Sequence, residues 1–176
     1  MKTLLIKQGH IIDPQNKIDC VANIFIKDGK IACVSDEFIE TDQVINCEGK
    51  IVCPGFIDIH MHEDPYDPIE DKLDKSIALS MVKMGVTTAI GGNCGDNVFD
   101  PQKYLEVIDR KGTAINIGLF AGHTYIRNKC GGQNKYASVN IETLNNMVYL
   151  CKKYLDNGCF GVSYGLKYIP GTMGME

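Results

Sequence analysis

Cys53-Pro54-Gly55-Phe56-Ile57-Asp58-Ile59-His60-Met61-His62 is the stretch on which the fold of this chain turns. Before it, apolar residues come in short runs divided by turn formers. After it, they alternate between strand-like and helix-like spacing. Pro54-Gly55 interrupts regular structure, because proline lacks a backbone donor and glycine tolerates turn geometry. Residues 56–60 then have the length and apolar content of a buried strand, and the strand runs into two histidines.

Upstream, residues 24–34 place Asp28-Gly29 between two apolar-rich runs in the manner of a hairpin. Residues 44–53 repeat the arrangement around Glu48-Gly49, so residues 1–54 are expected to form a small β-sheet module. Downstream, Leu73, Ile77, Met81 and Met84 share one face of an expected helix that Gly85 stops. Residues 87–90 make the second strand. Its helix opens at Asp100-Pro101, a capping residue followed by proline at the first helical position, and ends at Lys111-Gly112. A third strand spans residues 115–120, and a loop covers 128–137. Ile141, Leu144, Met147, Cys151 and Tyr154 at helical spacing then lead to a stop at Asn157-Gly158. Residues 159–166 read as a fourth strand.

This alternation makes the chain an α/β protein with parallel strands and right-handed crossovers, either a doubly wound sheet or a (β/α)8 TIM-type barrel. The loops favour the barrel. No Gly-x-Gly-x-x-Gly follows the first strand, whereas His60, Cys94 and His123 stand at the carboxyl ends of successive strands, where barrel enzymes assemble their sites. Residues 55–176 are therefore expected to hold the first four βα units of a barrel that needs eight and about 250 residues. The chain is expected to be an incomplete portion, with the remainder of the barrel in the same or another chain and two strand edges left unpaired.

Composition narrows the partners. Hydrophobic residues make up 44% and charged residues 23% of the 176, which suits a folded protein. A net charge of −4, no cluster of Lys and Arg and 8% aromatics argue against a nucleic-acid surface, so the expected ligand is a small molecule. Residues 1–14 lack a cleavage pattern and no apolar run is long enough to cross a bilayer, so a cytoplasmic enzyme without membrane contact is expected. Of the eight cysteines, Cys20, Cys33, Cys47, Cys53, Cys151 and Cys159 fall mostly in apolar runs without paired spacing and read as buried free thiols. Cys94 and Cys130 lie in glycine-rich loops and are the two with chemical prospects.

Side chains alternate along an extended segment, so His60 and His62 point to the same side and both imidazoles can meet one ion. Alone, the pair reads either as metal ligands or as hydrogen-bonded surface histidines. Cys94 is equally double: a thiolate is a strong anionic zinc ligand, yet cysteine is also a small residue that packs well in a turn. His123 either braces the site or touches substrate, or it is a structural histidine at a strand end. Arg127 has the geometry to grip a substrate carboxylate in two-pronged fashion, against the plainer reading of a solvated loop arginine. Gly161-x-Ser163-x-Gly165 spells a nucleophile elbow, but Pro170-Gly171 follows where a helix should, so no catalytic serine is expected.

The run from Pro54 to His62 resembles the Pro-Gly-Phe-Ile-Asp-x-His-x-His signature that opens the barrel of the amidohydrolase superfamily. The module before it looks like the amino-terminal part of the composite β-sandwich that flanks many such barrels. Gly85-Val86-Thr87-Thr88-Ala89-Ile90-Gly91-Gly92-Asn93-Cys94-Gly95 is similar to the Gly-Val-Thr-Thr…Gly-Asn-Cys-Gly segment of the D-aminoacylase (N-acyl-D-amino-acid deacylase) family. Gly122-His123…Arg127 resembles a further segment of that family. Gly161-Val162-Ser163-Tyr164-Gly165-Leu166-Lys167-Tyr168-Ile169-Pro170-Gly171 is similar to its Gly-x-Ser-x-Gly-Leu-x-Tyr-x-Pro-Gly run.

The resemblance implies His60, His62 and Cys94 as ligands of Zn2+, one or two ions. Cys94 would stand where dihydroorotase and hydantoinase relatives carry a carboxylated lysine, which leaves no such role for Lys167. It implies hydrolysis of the amide of N-acyl-D-amino acids by a zinc-activated water, with His123 and Arg127 towards the substrate. The catalytic aspartate and the remaining histidines would lie beyond residue 176, so the chain alone is expected to be inactive. Cyclic-amide hydrolysis, as in dihydroorotase or hydantoinase, and isoaspartyl-dipeptide hydrolysis are the alternatives within the superfamily. A non-catalytic metal-binding fragment is the alternative of another class.

Overall fold

A computed structural model describes residues 2–134 and 136–169. The chain divides into two compact units, Met1–Pro54 and Gly55–Glu176.

The first unit is a five-stranded mixed sheet built on β1 (Thr3–Asp13). Strand β2 (Ile18–Lys27) pairs with it antiparallel, and β3 (Lys30–Ser35) returns along β2. The connecting turn forms as expected: Asp28 and Gly29 both take positive φ, 50° and 78°, the hairpin geometry that Asp-Gly favours. The second expected hairpin does not form. Strands β4 (Gln43–Asn46) and β5 (Ile51–Val52) both run parallel to β1, beside Leu4–Lys7 and His10–Ile11 respectively, rather than against each other. The physical reason is a bulge in β1 at Gln8 (φ 56°), whose amide donates to Asn23 Oδ1. The turn at residues 47–50 spans that bulge, with Cys47 N donating to Lys7 O and His10 N to Lys50 O. Ile11, Ala22 and Ile24 form the core on one face.

In the second unit β6 (Phe56–Asp58), β9 (Val86–Gly91) and β10 (Asn116–Leu119) pair in parallel in the order β10-β9-β6. Two short strands, β7 (Tyr66–Asp67) and β8 (Lys72–Leu73), form an antiparallel hairpin between β6 and helix α1 (Ser76–Lys83). Leu73 therefore belongs to a strand rather than to the expected helix face, and Met84 caps the helix in an exposed position. Helix α1 has no capping side chain of its own. The buried Asp64 supplies one, its carboxylate accepting from Ile77 N (2.8 Å) and Ala78 N (3.0 Å).

Helix α2 (Pro101–Lys111) opens as its sequence predicts, with Asp100 accepting from Lys103 N and Pro101 in the first turn. After β10 the chain continues into β11 (Ala121–Gly122), which pairs in parallel with β12 (Val162–Ser163). Phe160 N donates to Leu119 O and Ala121 N to Gly161 O, so the 160–163 segment follows the far side of β10 and β11. The fourth strand is thus shorter than residues 159–166. Between the third strand and the expected loop of 128–137 stands a helix that sequence reading does not give, α3 (His123–Lys129), whose seven residues are too few and too polar to show a periodic face. Helix α4 (Ile141–Asp156) follows with Asn140 as its cap. Tyr104, Leu119, Ala121, Ile126, Met147 and Tyr154 pack into one core, and Met61, Ala78, Met81, Val86 and Ala89 into another. Among the described residues Phe56, Ile57 and Ile59 along β6 and Phe160 and Tyr164 near β12 remain exposed. All eight cysteines are free, but only Cys159 is buried; Cys20 and Cys53 are exposed, contrary to expectation. No described helix is long and apolar enough to cross a membrane.

Candidate metal centre

Three strand ends bring the expected donors to one rim. His60 and His62 follow β6, Cys94 follows β9 and His123 follows β11. One donor atom each from His60, His62 and Cys94 lies within 4.8 Å of the others, and Cys94 Sγ is 3.5 Å from His60 Nε2. Tetrahedral zinc with nitrogen at about 2.05 Å and sulfur at about 2.3 Å holds such an N–S pair about 3.6 Å apart. The donor types and the Cys94–His60 spacing therefore fit a zinc-type ion. Both histidines are exposed and Cys94 is half-buried, which leaves one side of the cluster open to a water or a substrate.

The thiol reaches this place through an unusual backbone. Cys94 has φ 59° and ψ 19°, the left-handed region. Ser163 Oγ clasps this turn from β12, accepting from Gly95 N (3.0 Å) and donating to Gly92 O. Its hydroxyl is thereby committed to the turn, in keeping with the expectation that it is no nucleophile. A β-carbon on Gly165 would run into the Cys94 carbonyl, and one on Gly122 would lie 2.6 Å from the Gly95 carbonyl, so the turn is wedged between two segments that must be bare backbone.

Several buried polar residues behind the rim escape sequence reading. Asn93 Nδ2 donates to Ile90 O (2.8 Å), Met61 O (3.2 Å) and Ile59 O (3.3 Å). Asn97 Nδ2 donates to Glu63 Oε1 (2.9 Å) and Phe120 O (3.0 Å), while its Oδ1 accepts from Gly122 N (2.8 Å). Asn93, Asn97, Glu63 and Asp64 are all buried. Position within the motifs is the one signal that could have marked them: Asn93 precedes the cysteine and Glu63-Asp64 follow the second histidine.

His123 begins α3 and stacks on Tyr164 with ring centroids 5.2 Å apart. Its Nδ1 is buried with no hydrogen-bond partner among the described residues. Burial, and secondarily the charge of Arg127, hold its pKa below the usual histidine value and so favour the neutral ring. The ring borders a mainly apolar cavity of about 390 Å³, also lined by Ile126, Leu144, Met147 and Tyr164. None of His60, His62 and Cys94 lines that cavity.

Arg127 departs from its expected role. Only 2% exposed, it turns into the following loop: Nε donates to Gly132 O (3.0 Å), and Nη2 donates to Asn134 O (3.1 Å) and to Ala137 O. A guanidinium spent on three loop carbonyls braces the loop instead of presenting a fork to a carboxylate. Pro170-Gly171 lie outside the described residues.

No family model matches the chain. A D-aminoacylase of Alcaligenes xylosoxydans xylosoxydans is 26% identical over 193 residues, covering 96% of this chain and 39% of the relative. A dihydroorotase of Aquifex aeolicus (strain VF5) is 33% identical over 111 residues, covering 62% of this chain and 25% of the relative. In structure, N-acyl-D-glutamate deacylase from Bordetella bronchiseptica, solved with zinc and a phosphonate mimic of the tetrahedral intermediate, superposes with a TM-score of 0.87 at 25% identity, covering 99% of this chain and 41% of that one. Together these likenesses support an amidohydrolase-superfamily member most like D-aminoacylase. Sequence likeness to D-aminoacylase and to N-acyl-D-glutamate deacylase runs over 96% of the chain. The chain spans about two fifths of the length of these relatives.

Proposed function

We propose that this chain carries part of the zinc centre of an enzyme that hydrolyses the amide bond of N-acyl-D-amino acids, with His60, His62 and Cys94 as ligands. The observation that carries the reading is the meeting of two imidazoles and a thiol within 4.8 Å on a rim whose relatives include deacylases. When bound, zinc supplies a nucleophilic hydroxide near neutral pH and a Lewis acid for the scissile carbonyl. Cys94 brings a full negative charge to the ligand set, and the solvent-facing side of the two histidines leaves room for the acyl group. We assign His123, kept neutral by burial and with a buried Nδ1 that has no partner among the described residues, to the substrate side of the site.

The remaining ligands and the proton-transferring carboxylate belong to a further part of the enzyme, in the same or another chain. The four parallel strands are the opening units of a (β/α)8 barrel, and the amino-terminal sheet is one layer of a sandwich. The exposed residues along β6 and near β12 are the surfaces that further units would cover. The enzyme acts on a small molecule in the cytoplasm.

The test is release of free D-amino acid from N-acyl-D-amino acids by the full-length protein with and without zinc. Zinc-dependent release supports the reading; none from any acyl donor, in protein that binds zinc, overturns the substrate assignment. The dihydroorotase match supports a second reading, hydrolysis of a cyclic amide. Activity on dihydroorotate or a hydantoin, without activity on linear donors, would select it.

A further inference from the structure

The separation between the Cys94 thiol and the His60 imidazole must be set by something, because the two sit on different strands, 34 residues apart in sequence. The main chain does not set it alone. Where His60 leaves β6 the backbone ladder to β9 has ended at the Asp58–Ala89 pair, and one bond, Met61 N to Ile90 O (3.1 Å), continues it. Cys94 lies beyond the end of β9, in a turn whose backbone is left-handed at the cysteine itself. Two loose ends would drift apart without a tie.

Asn93 is placed as that tie. Three carbonyl oxygens, those of Ile59, Met61 and Ile90, surround one terminal atom of its side chain, and such a ring of acceptors requires that atom to be the amide nitrogen. Two of the acceptors bracket His60 in sequence, and the third, Ile90 O, belongs to the residue before the last of β9. The amide is buried and excluded from water, so its bonds are directional constraints that solvent does not replace. Asn93 is joined by a peptide bond to Cys94, so the same residue grips the histidine loop through its side chain and carries the thiol on its main chain.

We infer that Asn93 is a positioning residue for this centre, its side-chain amide holding the His60 loop and the Cys94 turn at the spacing a single ion requires. The inference rests on the metal reading given above and deepens it. Partners that orient ligands without touching the metal typically change metal affinity by about 10–100-fold when removed. Asn93 thereby differs from Ser163, which clasps the Cys94 turn from β12 and does not touch the histidine loop.

The experiment is titration of the full-length protein with cobalt(II), read by the thiolate-to-cobalt charge-transfer band and by the affinity from competition with a chelator. Wild-type protein, Cys94→Ala, Asn93→Ala and Asn93→Ser are compared, each after its circular dichroism spectrum has been matched to wild type. Asn93→Ser keeps one donor, one bond closer to the backbone, and serves if Asn93→Ala fails to fold. Expected is a band in wild type, its absence in Cys94→Ala, and for Asn93→Ala about 10–100-fold weaker binding with a shifted or weakened band, partly restored in Asn93→Ser. Folded Asn93 variants that bind cobalt within twofold of wild type with an unchanged band would overturn the positioning role and leave the metal reading intact. A band that is missing from wild type, or that persists in Cys94→Ala, would overturn the metal reading itself.

Discussion

Two excursions from the strands of the second unit are held by opposite means. The turn after β9 is fixed from behind by side chains removed from water: Asn93 to three carbonyls, Asn97 to Glu63, Phe120 and Gly122, and Ser163 across the turn itself. The β7–β8 hairpin is tethered by charge at the surface, where Asp71 meets Arg110 through two 2.8 Å bonds, Lys111 at 3.0 Å and the Tyr66 hydroxyl at 2.8 Å. Buried amides bond in fixed directions and have no water to exchange with, so they define position. Exposed ion pairs are screened and interchangeable, so they limit wandering without setting a distance. The candidate ligands sit on the first kind of support.

The contrast can be broken experimentally. Replacing a ligand should do most: Cys94→Ala is expected to weaken metal binding at this centre by more than the roughly 100-fold upper range for an outer partner, measured by chelator competition. Next comes the brace on the loop after α3. Arg127→Met leaves three carbonyls without their buried donor and is expected to lower stability by about 3 kcal/mol in urea denaturation. A loss near zero would mean that the loop does not depend on the guanidinium. Ser163→Ala removes both clasps of the Cys94 turn and should cost about 1–2 kcal/mol by the same measurement, with cobalt binding changed less than in Asn93→Ala.

A pH series separates His123 from these. Its folded pKa is lowered, by burial first and Arg127 second, so the unfolded chain holds the proton more tightly. The contribution is complete above the ordinary histidine value of about 6.5 and is lost as pH falls below it towards the folded pKa. Thermal midpoints should decline over that window, and His123→Gln should flatten that part of the profile; an unchanged slope would remove His123 as its source.

The smallest effect is expected at the surface tether. Arg110 holds the Asp71 carboxyl well below the usual carboxylate range, with Lys111 and Tyr66 adding to it, yet the group is exposed to solvent. Asp71→Asn should therefore shift the thermal midpoint no more than a neutral surface substitution does, and any shift should vanish in high salt. A large, salt-resistant loss would erase the distinction between the two kinds of support.

Local chemistry made part of this legible beforehand. Asp28-Gly29 and Asp100-Pro101 specify a turn and a helix start within four residues, and both form. The parallel order β6, β9, β10 follows from helical and strand spacing in the same way. What escaped depends on partners far away in sequence. Residues 44–53 pair with β1 instead of with themselves because a bulge at Gln8, more than 30 residues earlier, opens two places on one edge. Leu73 has helical spacing to Ile77, but Tyr66 is its strand partner.

At the rim, His60, His62 and Cys94 are visible because their side chains have few structural duties that a sequence motif would require. Asn93, Asn97 and Glu63 are ordinary polar letters until the strands they join are in place. For Arg127 the sequence offers a carboxylate grip or a solvated loop arginine, and it cannot show that Gly132, Asn134 and Ala137 supply carbonyls to a buried guanidinium.

The bare backbone pressed against the cysteine turn has a consequence for how this rim can change. With Gly165 against the Cys94 carbonyl and Gly122 against Gly95, neither neighbour can gain even a methyl group without moving the main chain. Saturation libraries at positions 122 and 165, screened for folded protein, should return almost only glycine. New chemistry at this rim would have to arrive by swapping the tip of one residue on an unaltered track.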